Sequence, residues 1–457
     1  MAADRTKAQI VQDLYGVNLE EQGRGYYIAL EFLAICRGVY LTSPAELLSA
    51  DAEIIEYQRK SHDFARRVAV GETVEEATLR VAIDGDETLA TLQALASSLL
   101  IQVPGRRKAP SWYNTHLYPF VGQLIHYDAV ERPATREGVR TRVPSIERYI
   151  FRGGGQWVYR ALRTDSDSLR RNETRGGLAD LVGDAPSPLG YISEAMTAHD
   201  YAREKAPFAD GREADINIYD RASPWPEYLR QGVNNIVKRI GIPRAKRIES
   251  IMHWAPYCLA RHQLHLARTS LRRGSEVMYM DFVGGPSLLR RESQNALDEF
   301  RKDTVNAFNL KAASLREKAL MEGDEELALK YERHVPSNST GSSSSRAFFS
   351  ETMAAIGALN ATTGRRFFTL KPPMLEALVL AALEPGTEEE YYSFCRRLFD
   401  TMGILVDDRT AGEHHLTLDV DTNVYRRNSD AFHERLSATG LLTRYSDATS
   451  IVHGEAK

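Results

Sequence analysis

The chain has 457 residues, of which 43% are hydrophobic and 26% charged, with a formal net charge of −4. That length exceeds one ordinary core, and the apolar share excludes wholesale disorder, so two or three domains are expected. The near-neutral balance excludes a uniformly basic nucleic-acid binder and an acidic tail protein, but it hides a segregation. Residues 1–100 hold 9 Lys/Arg against 16 Asp/Glu, a net −7, whereas residues 228–274 hold 10 Lys/Arg against Glu249 alone, a net +9. Such segregation suggests one face for a polyanion or acidic partner. Cys36, Cys258 and Cys395 are far apart and odd in number, which argues against a disulfide framework. The N-terminus lacks a hydrophobic signal core and no apolar run approaches a membrane span, so the expectation is a cytoplasmic protein that does not contact a membrane.

Residues 1–128 read as an acidic helical domain. Tyr27, Ala29, Leu30, Phe32, Leu33 and Ile35 are too dense for a surface helix and predict a core element. Ser43-Pro44-Ala45-Glu46 has the pattern of a helix start. Residues 52–68 read as a charged amphipathic helix, and Asp86 to Ile101 as another with a leucine stripe. Residues 129–215, rich in Arg, Gly, Ser and Pro, read as a loop-rich insertion or hinge. Residues 216–335 read as a basic helical domain: a helix from Tyr228 to Ile240, a longer one to Arg273 that Pro256 should kink or split, a short strand within Glu276–Phe282, and polar helices over 287–333. Residues 336–346, with their serine run, read as a linker.

Residues 347–457 form the most self-consistent stretch. Phe367–Leu370 reads as a strand, and Pro372-Pro373 leads a helix. Thr387 and Glu390 have capping-box spacing for a second helix that Gly403 should stop. Ile404–Val406 reads as a strand, Val424–Ala438 as a third helix, and Leu441–Val452 as a hairpin. That order is the order of a winged helix. The expected fold is therefore mainly α and multidomain, with helical N-terminal and middle regions and a C-terminal winged helix (α+β).

Candidate nucleic-acid contacts follow from charge. Lys238, Arg239, Arg244, Lys246 and Arg247 cluster where one helix ends and the next begins, and Arg261, Arg268, Arg272 and Arg273 continue along the second. Such a patch can neutralise phosphates without reading sequence. Alternatively it is a solvated face docking on the acidic N-terminal region. The third C-terminal helix offers Asn423, Arg426, Arg427, Asn428 and Arg435, and the hairpin offers Arg444, although Asp421, Asp430 and Glu434 accompany them. Arg148 to Arg163 interleaves Arg with Tyr149, Phe151, Trp157 and Tyr159 around Gly153-Gly154-Gly155, either a stacking surface for single strands or a flexible turn.

Catalytic signals are sparse. His253, Cys258, His262 and His265 share a helical stretch but lack an evident fourth ligand, so buried core is the better reading than metal. Asp281 and Glu292 near the basic segment suggest a metal-dependent nuclease as the alternative function. There is no P-loop, no Gly-x-Ser-x-Gly and no His-Glu-x-x-His, so an ATP-driven step would need a partner. No catalytic residue, metal or cofactor is expected.

The end of the chain, GILVDD…DTNVYRRNSDAFHERLSATGLLTRYSDATSIV, together with YMDFVGGPSLLRRES, resembles accessory, winged-helix-containing proteins of multi-gene bacterial defence cassettes. The resemblance implies a non-catalytic subunit of a DNA-handling complex, with ATPase or nuclease subunits as protein partners and DNA as a second ligand. It transfers no catalytic residue. A regulatory, kleisin-like winged-helix partner of an ATPase is a further alternative.

Overall fold

The structure is a computed structural model that describes residues 2–19, 25–49, 55–58, 68–69, 86–101, 116–125, 129–136, 139–146, 153–184, 186–198, 207–210, 220–274, 276–285, 287–335, 344–361, 364–417, 420–446 and 449–454. In chain order the first elements are α1 (Ala2–Tyr15), α2 (Tyr26–Thr42), β1 (Ile55–Gln58), α3 (Asp86–Ser98), β2 (Ala129–Arg136) and β3 (Val139–Ile146). There follow α4 (Gly154–Arg163), α5 (Ser168–Val182), α6 (Pro188–Ala198), β4 (Pro207–Asp210), α7 (Trp225–Val237), α8 (Arg244–Ser270) and β5 (Met278–Tyr279). Next come α9 (Leu288–Met321), α10 (Glu325–Glu332), α11 (Ser344–Ala355), α12 (Pro372–Ala382), β6 (Glu388–Glu390) and α13 (Tyr391–Met402). The chain ends with β7 (Ile404–Leu405), α14 (Asp408–Glu413), α15 (Thr422–Ala438), β8 (Leu442–Arg444) and β9 (Ser450–His453). The protein is mainly helical with a few small strands.

Internal contacts group these elements into two units, one of Met1–Tyr26, Asp215–Ile242 and Glu249–Lys457, the other of Tyr27–Ala214 and Pro243–Ile248. The expected divisions at 335 and 346 do not separate units. Residues 336–343 of the expected serine linker lie outside the described residues, and Ser344 already opens α11.

In the second unit α2 is the core element expected, buried from Tyr27 to Val39. Glu31 is buried in its middle, and its carboxylate accepts the backbone N–H of Gly153 at 3.1 Å and of Gly155 at 2.8 Å. A carboxylate there satisfies donors that the first turn of α4 leaves unpaired and matches the positive end of the helix dipole. The triple glycine is thus a close approach: a Cβ on Gly155 would meet Phe32 N at 2.3 Å. Three expectations change here. Ser43–Glu46 holds a single 3-10 turn, without a side-chain cap from Ser43. Ile55–Gln58, within the expected helix 52–68, is a strand paired antiparallel with Pro207–Asp210. The expected loop-rich insertion contains a hairpin, β2–β3, and the helices α4 to α6. Arginines on half-exposed helix faces diluted its apolar period, yet α5 has a sound cap, Asp167 accepting from Leu169 N and Arg170 N.

In the first unit the 34-residue α9 packs on α1, α10, α11, α15 and β5. Helix α8 runs unbroken through Pro256. The C-terminal elements build a sheet in the order β6-β9-β8, all antiparallel, in which Val452 of β9 pairs with both Glu389 and Leu442. The three glutamates of β6 are each engaged: Glu388 lies 3.1 Å from His453, Glu389 binds Arg397, and Glu390 caps α13 by accepting Ser393 N. Thr387, expected as that cap, instead donates to Glu384 O. Gly403 ends α13 at φ 67, as expected, and its missing Cβ leaves room for Glu276 O. Phe367–Leu370 is no full strand; Phe368 makes one bridge to Leu359.

One side chain joins this region to the middle of the chain. Asn428 of α15 is fully buried, accepts Phe282 N at 2.8 Å, and donates to Met280 O at 2.9 Å and Val406 O at 2.8 Å. Strand β5 pairs in parallel with β7 beside it.

Two substitutions test this reading. Asn428→Ala strands three buried backbone groups and should lower the stability of the full chain by about 3 kcal/mol or more, whereas Asn423→Ala on the exposed face should stay within about 0.5 kcal/mol. Gly155→Ala should cost about 2 kcal/mol by forcing α2 and α4 apart. Denaturant unfolding followed by circular dichroism measures both.

Candidate nucleic-acid interface

The arginines of the basic segment do not form one patch. Arg239 is 1% exposed at the end of α7, and its guanidinium donates to Leu383 O at 2.6 Å. Arg244 and Arg247, in the second unit, converge on Asp180 of α5 at 2.6 and 2.8 Å. Burial raises the Asp180 carboxyl, but hydrogen bonds from these two guanidinium groups outweigh it and hold it below the usual range. Arg261 is 1% exposed, bonds Glu276 at 2.9 Å and lies over the Trp225 ring at 4.7 Å. Arg268 is buried against Asp303 at 2.6 Å and Glu299 at 3.0 Å. Burial pushes Asp303 upward despite Arg268 and Arg273 beside it. These side chains complete carbonyls and carboxylates of the core, and withdrawing one for a phosphate would leave a buried charge unpaired. Lys246 is half-buried; Lys238, Arg272 and Arg273 reach the surface, where Arg273 also contacts Asp303 at 3.0 Å.

The third C-terminal helix is divided in the same way. Asn428 is the buried clamp described above, and Arg435 is half-buried, donating to Phe282 O at 3.1 Å and Leu370 O at 3.2 Å. Neither faces solvent as expected. The helical period held the signal: Asn428 falls on the stripe of Tyr425, Phe432 and Leu436, all buried. The exposed stripe is Asn423, Arg426, Arg427, Asp430 and Glu434, with Arg426 3.6 Å from Asp408. Arg444 and Tyr445 are exposed on the hairpin.

Between α15 and that hairpin lies a small polar cleft of about 160 Å³, lined by Glu390, Tyr391, Tyr392, Ser429, Asp430, His433, Arg444 and Ser450. His433 Nε2 and Ser450 Oγ are 2.7 Å apart, tying helix to hairpin. The buried Tyr391 hydroxyl donates to Ser429 O at 2.8 Å, and its ring meets His433 edge-on. Burial, then the charge of Arg444, pushes the His433 imidazole below its usual range. Sequence reading missed this cleft because its residues come from five elements, β6, α13, α15, β8 and β9.

The other candidates have settled partners. Trp157 and Tyr159 are buried in α4, so they offer no stacking surface; Tyr149 and Phe151 lie outside the described residues. Asp281 accepts from Arg290 Nε at 2.8 Å and is buried, while Glu292 accepts from Asn295. His253 and His262 donate to Ile356 O and Tyr15 O, and His265 bonds Glu276 at 2.8 Å. Among the described residues no group of three or more His, Cys, Asp and Glu could hold a metal ion, and no helix is long and apolar enough to cross a membrane.

Glu276 generates a pH prediction. Burial raises its carboxyl, but His265 and Arg261 overcome that and hold it below the usual glutamate range. A depressed folded-state value contributes stability that is present above the unfolded value and lost as pH falls through the folded one. Glu276→Gln should therefore lower stability at neutral pH and shrink its decline below about pH 4.5, read from unfolding midpoints across pH.

No protein-family model matches the chain, and neither a curated protein nor a solved structure does so.

Proposed function

We propose that residues 372–453 are a winged helix and that the protein is a non-catalytic, DNA-associated or scaffolding subunit of a larger DNA-handling assembly. Support for the fold comes from its order. Helix α12, strand β6, helices α13 and α15, and strands β8 and β9 follow one another, and the first strand pairs with the last. The pair β7 and α14 is inserted before the third helix. The observation that carries the DNA reading is the exposed N-terminal half of α15, where Asn423, Arg426 and Arg427 share a face, with Arg444 on the hairpin lining the adjoining cleft. A helix of this kind places its N-terminal side chains against base edges and phosphates, and the hairpin follows the backbone. Of the wider basic segment, Lys238, Arg272 and Arg273 remain as surface contributors.

The scaffolding reading draws on a second observation. Asp430 and Glu434 occupy the same exposed stripe as the two arginines, and such alternation suits a protein surface of mixed charge better than a phosphate chain. With no P-loop in the sequence, an ATP-driven step in such an assembly would come from a partner subunit.

Binding of the full chain to a labelled duplex should weaken steeply with salt. The double variant Arg426→Glu, Arg427→Glu should lose about tenfold or more in affinity and flatten the salt slope by about two contacts. Binding that is absent at 50 mM salt, or insensitive to salt, would overturn the DNA role and leave the scaffolding one, which co-purification with a defined partner subunit and its loss in Asp430→Lys would then test.

A further inference from the structure

The cleft between α15 and the β8–β9 hairpin contains the one titratable imidazole that bonds both parts of the C-terminal module among the described residues. The groups facing it can be named element by element. Its own helix contributes Asp430 and Glu434, β8 contributes Arg444, and the start of α13 contributes Glu390, Tyr391 and Tyr392. Glu390 is committed to the cap of α13, and Arg409 covers one face of the Tyr392 ring at 3.5 Å. With His433 neutral, the groups facing it carry Arg444 against Asp430, Glu434 and Glu390, a formal surplus of two negative charges. That surplus repels a phosphate.

We propose that this cleft is a phosphate-binding site for the DNA backbone that takes up one proton on His433 as it fills. The proposal rests on the DNA reading above. Protonation halves the negative surplus and sets two cations, His433 and Arg444, in the one cleft. It also fixes the direction of the 2.7 Å contact to Ser450. An imidazolium Nε2–H can only donate, so the Ser450 oxygen accepts and its own hydrogen turns towards the cleft, where a phosphate oxygen accepts it. The proton comes from solvent: an N–H bond forms on the imidazole as an O–H bond of hydronium or buffer acid breaks, and every other change is in hydrogen bonds. Coupling runs both ways: a phosphate beside Arg444 offsets the positive field and the burial that keep His433 neutral in the unbound protein.

The test measures fluorescence anisotropy of a labelled 30-base-pair duplex, of about that length to cover one module, with the full chain at fixed ionic strength from pH 5.5 to 8.0. Linkage of one proton allows affinity to rise by at most about tenfold per pH unit as pH falls. The expected rise is about fivefold or more between pH 8.0 and 6.0, reduced to under about twofold in His433→Asn. His433→Gln is a second neutral variant, and calorimetry in two buffers of different ionisation enthalpy should show proton uptake that both variants lose. Binding that varies equally with pH in the variants, or does not vary in the parent, overturns the site while the DNA role stands. No binding at any pH in low salt overturns the DNA role and this site with it.

Discussion

Three hydrogen bonds of the Asn428 amide, two of them to residues 280–282, hold the C-terminal region to the rest of its unit. The amide oxygen takes Phe282 N, and the amide nitrogen serves Met280 O and Val406 O. Those backbone groups lie just past the ends of two very short strands, β5 and β7, whose parallel pairing involves only two residues each. A two-residue ladder leaves most of its donors and acceptors without a strand partner, and buried groups of that kind cost about 1–3 kcal/mol apiece when unmet. Asn428 meets three of them at once. Arg435 and Phe432 extend the seam, Arg435 by donating to Phe282 O and Phe432 by stacking on the Phe282 ring at 4.8 Å. The orientation of α15, and so of the face it presents to solvent, is thus set by residues 280–282, on the far side of the serine-rich segment in sequence.

Long-range pairing likewise explains why the positive surplus of residues 228–274 does not form one basic patch. A long helix such as α8 can bury arginines only where acceptors meet them, and the fold supplies these from distant segments: Glu276 for Arg261, Asp303 for Arg268, Asp180 for Arg247. Each pair exchanges hydration for a short ionic contact that would be costly to open on one side. The formal surplus of the 228–274 segment is largely absorbed in this way. A count of charges in a sequence window says nothing about acceptors that arrive from 15 to 67 residues away.

Legibility followed the range of the interactions. The helical character, the buried run of α2, the stop at Gly403, the hairpin and the short strand near Met278 rest on local period and turn chemistry, and all were readable. The middle region was not, because arginines diluted its apolar period and because its glycines answer to Glu31, more than a hundred residues earlier. The same limit applied to the candidate site. Arg426, Arg427 and Arg444 were correctly placed outside by spacing alone, whereas Asn428 and Arg435 were assigned by residue type although their position in the period pointed inward. The cleft around His433 joins residues 390 to 450 through the sheet order β6-β9-β8, which no local pattern encodes.

The exposed stripe of α15 changes sign along its length, with Arg426 and Arg427 in its first half and Asp430 and Glu434 in its second. Net charge therefore cannot select a ligand here; the position of charge along the helix must. A ligand that crosses the helix near its N-terminal half meets Asn423, Arg426 and Arg427, with Asp421 at the cap and Asp408 beside Arg426, while one that runs along the whole helix also meets Asp430 and Glu434. Arg444 lies sideways across the cleft, not further down the helix, so on the proposed DNA reading the duplex would cross α15 instead of aligning with it. The clamp at Asn428 lies on the opposite face, which lets that face be specialised without loss of the packing that holds the helix in place.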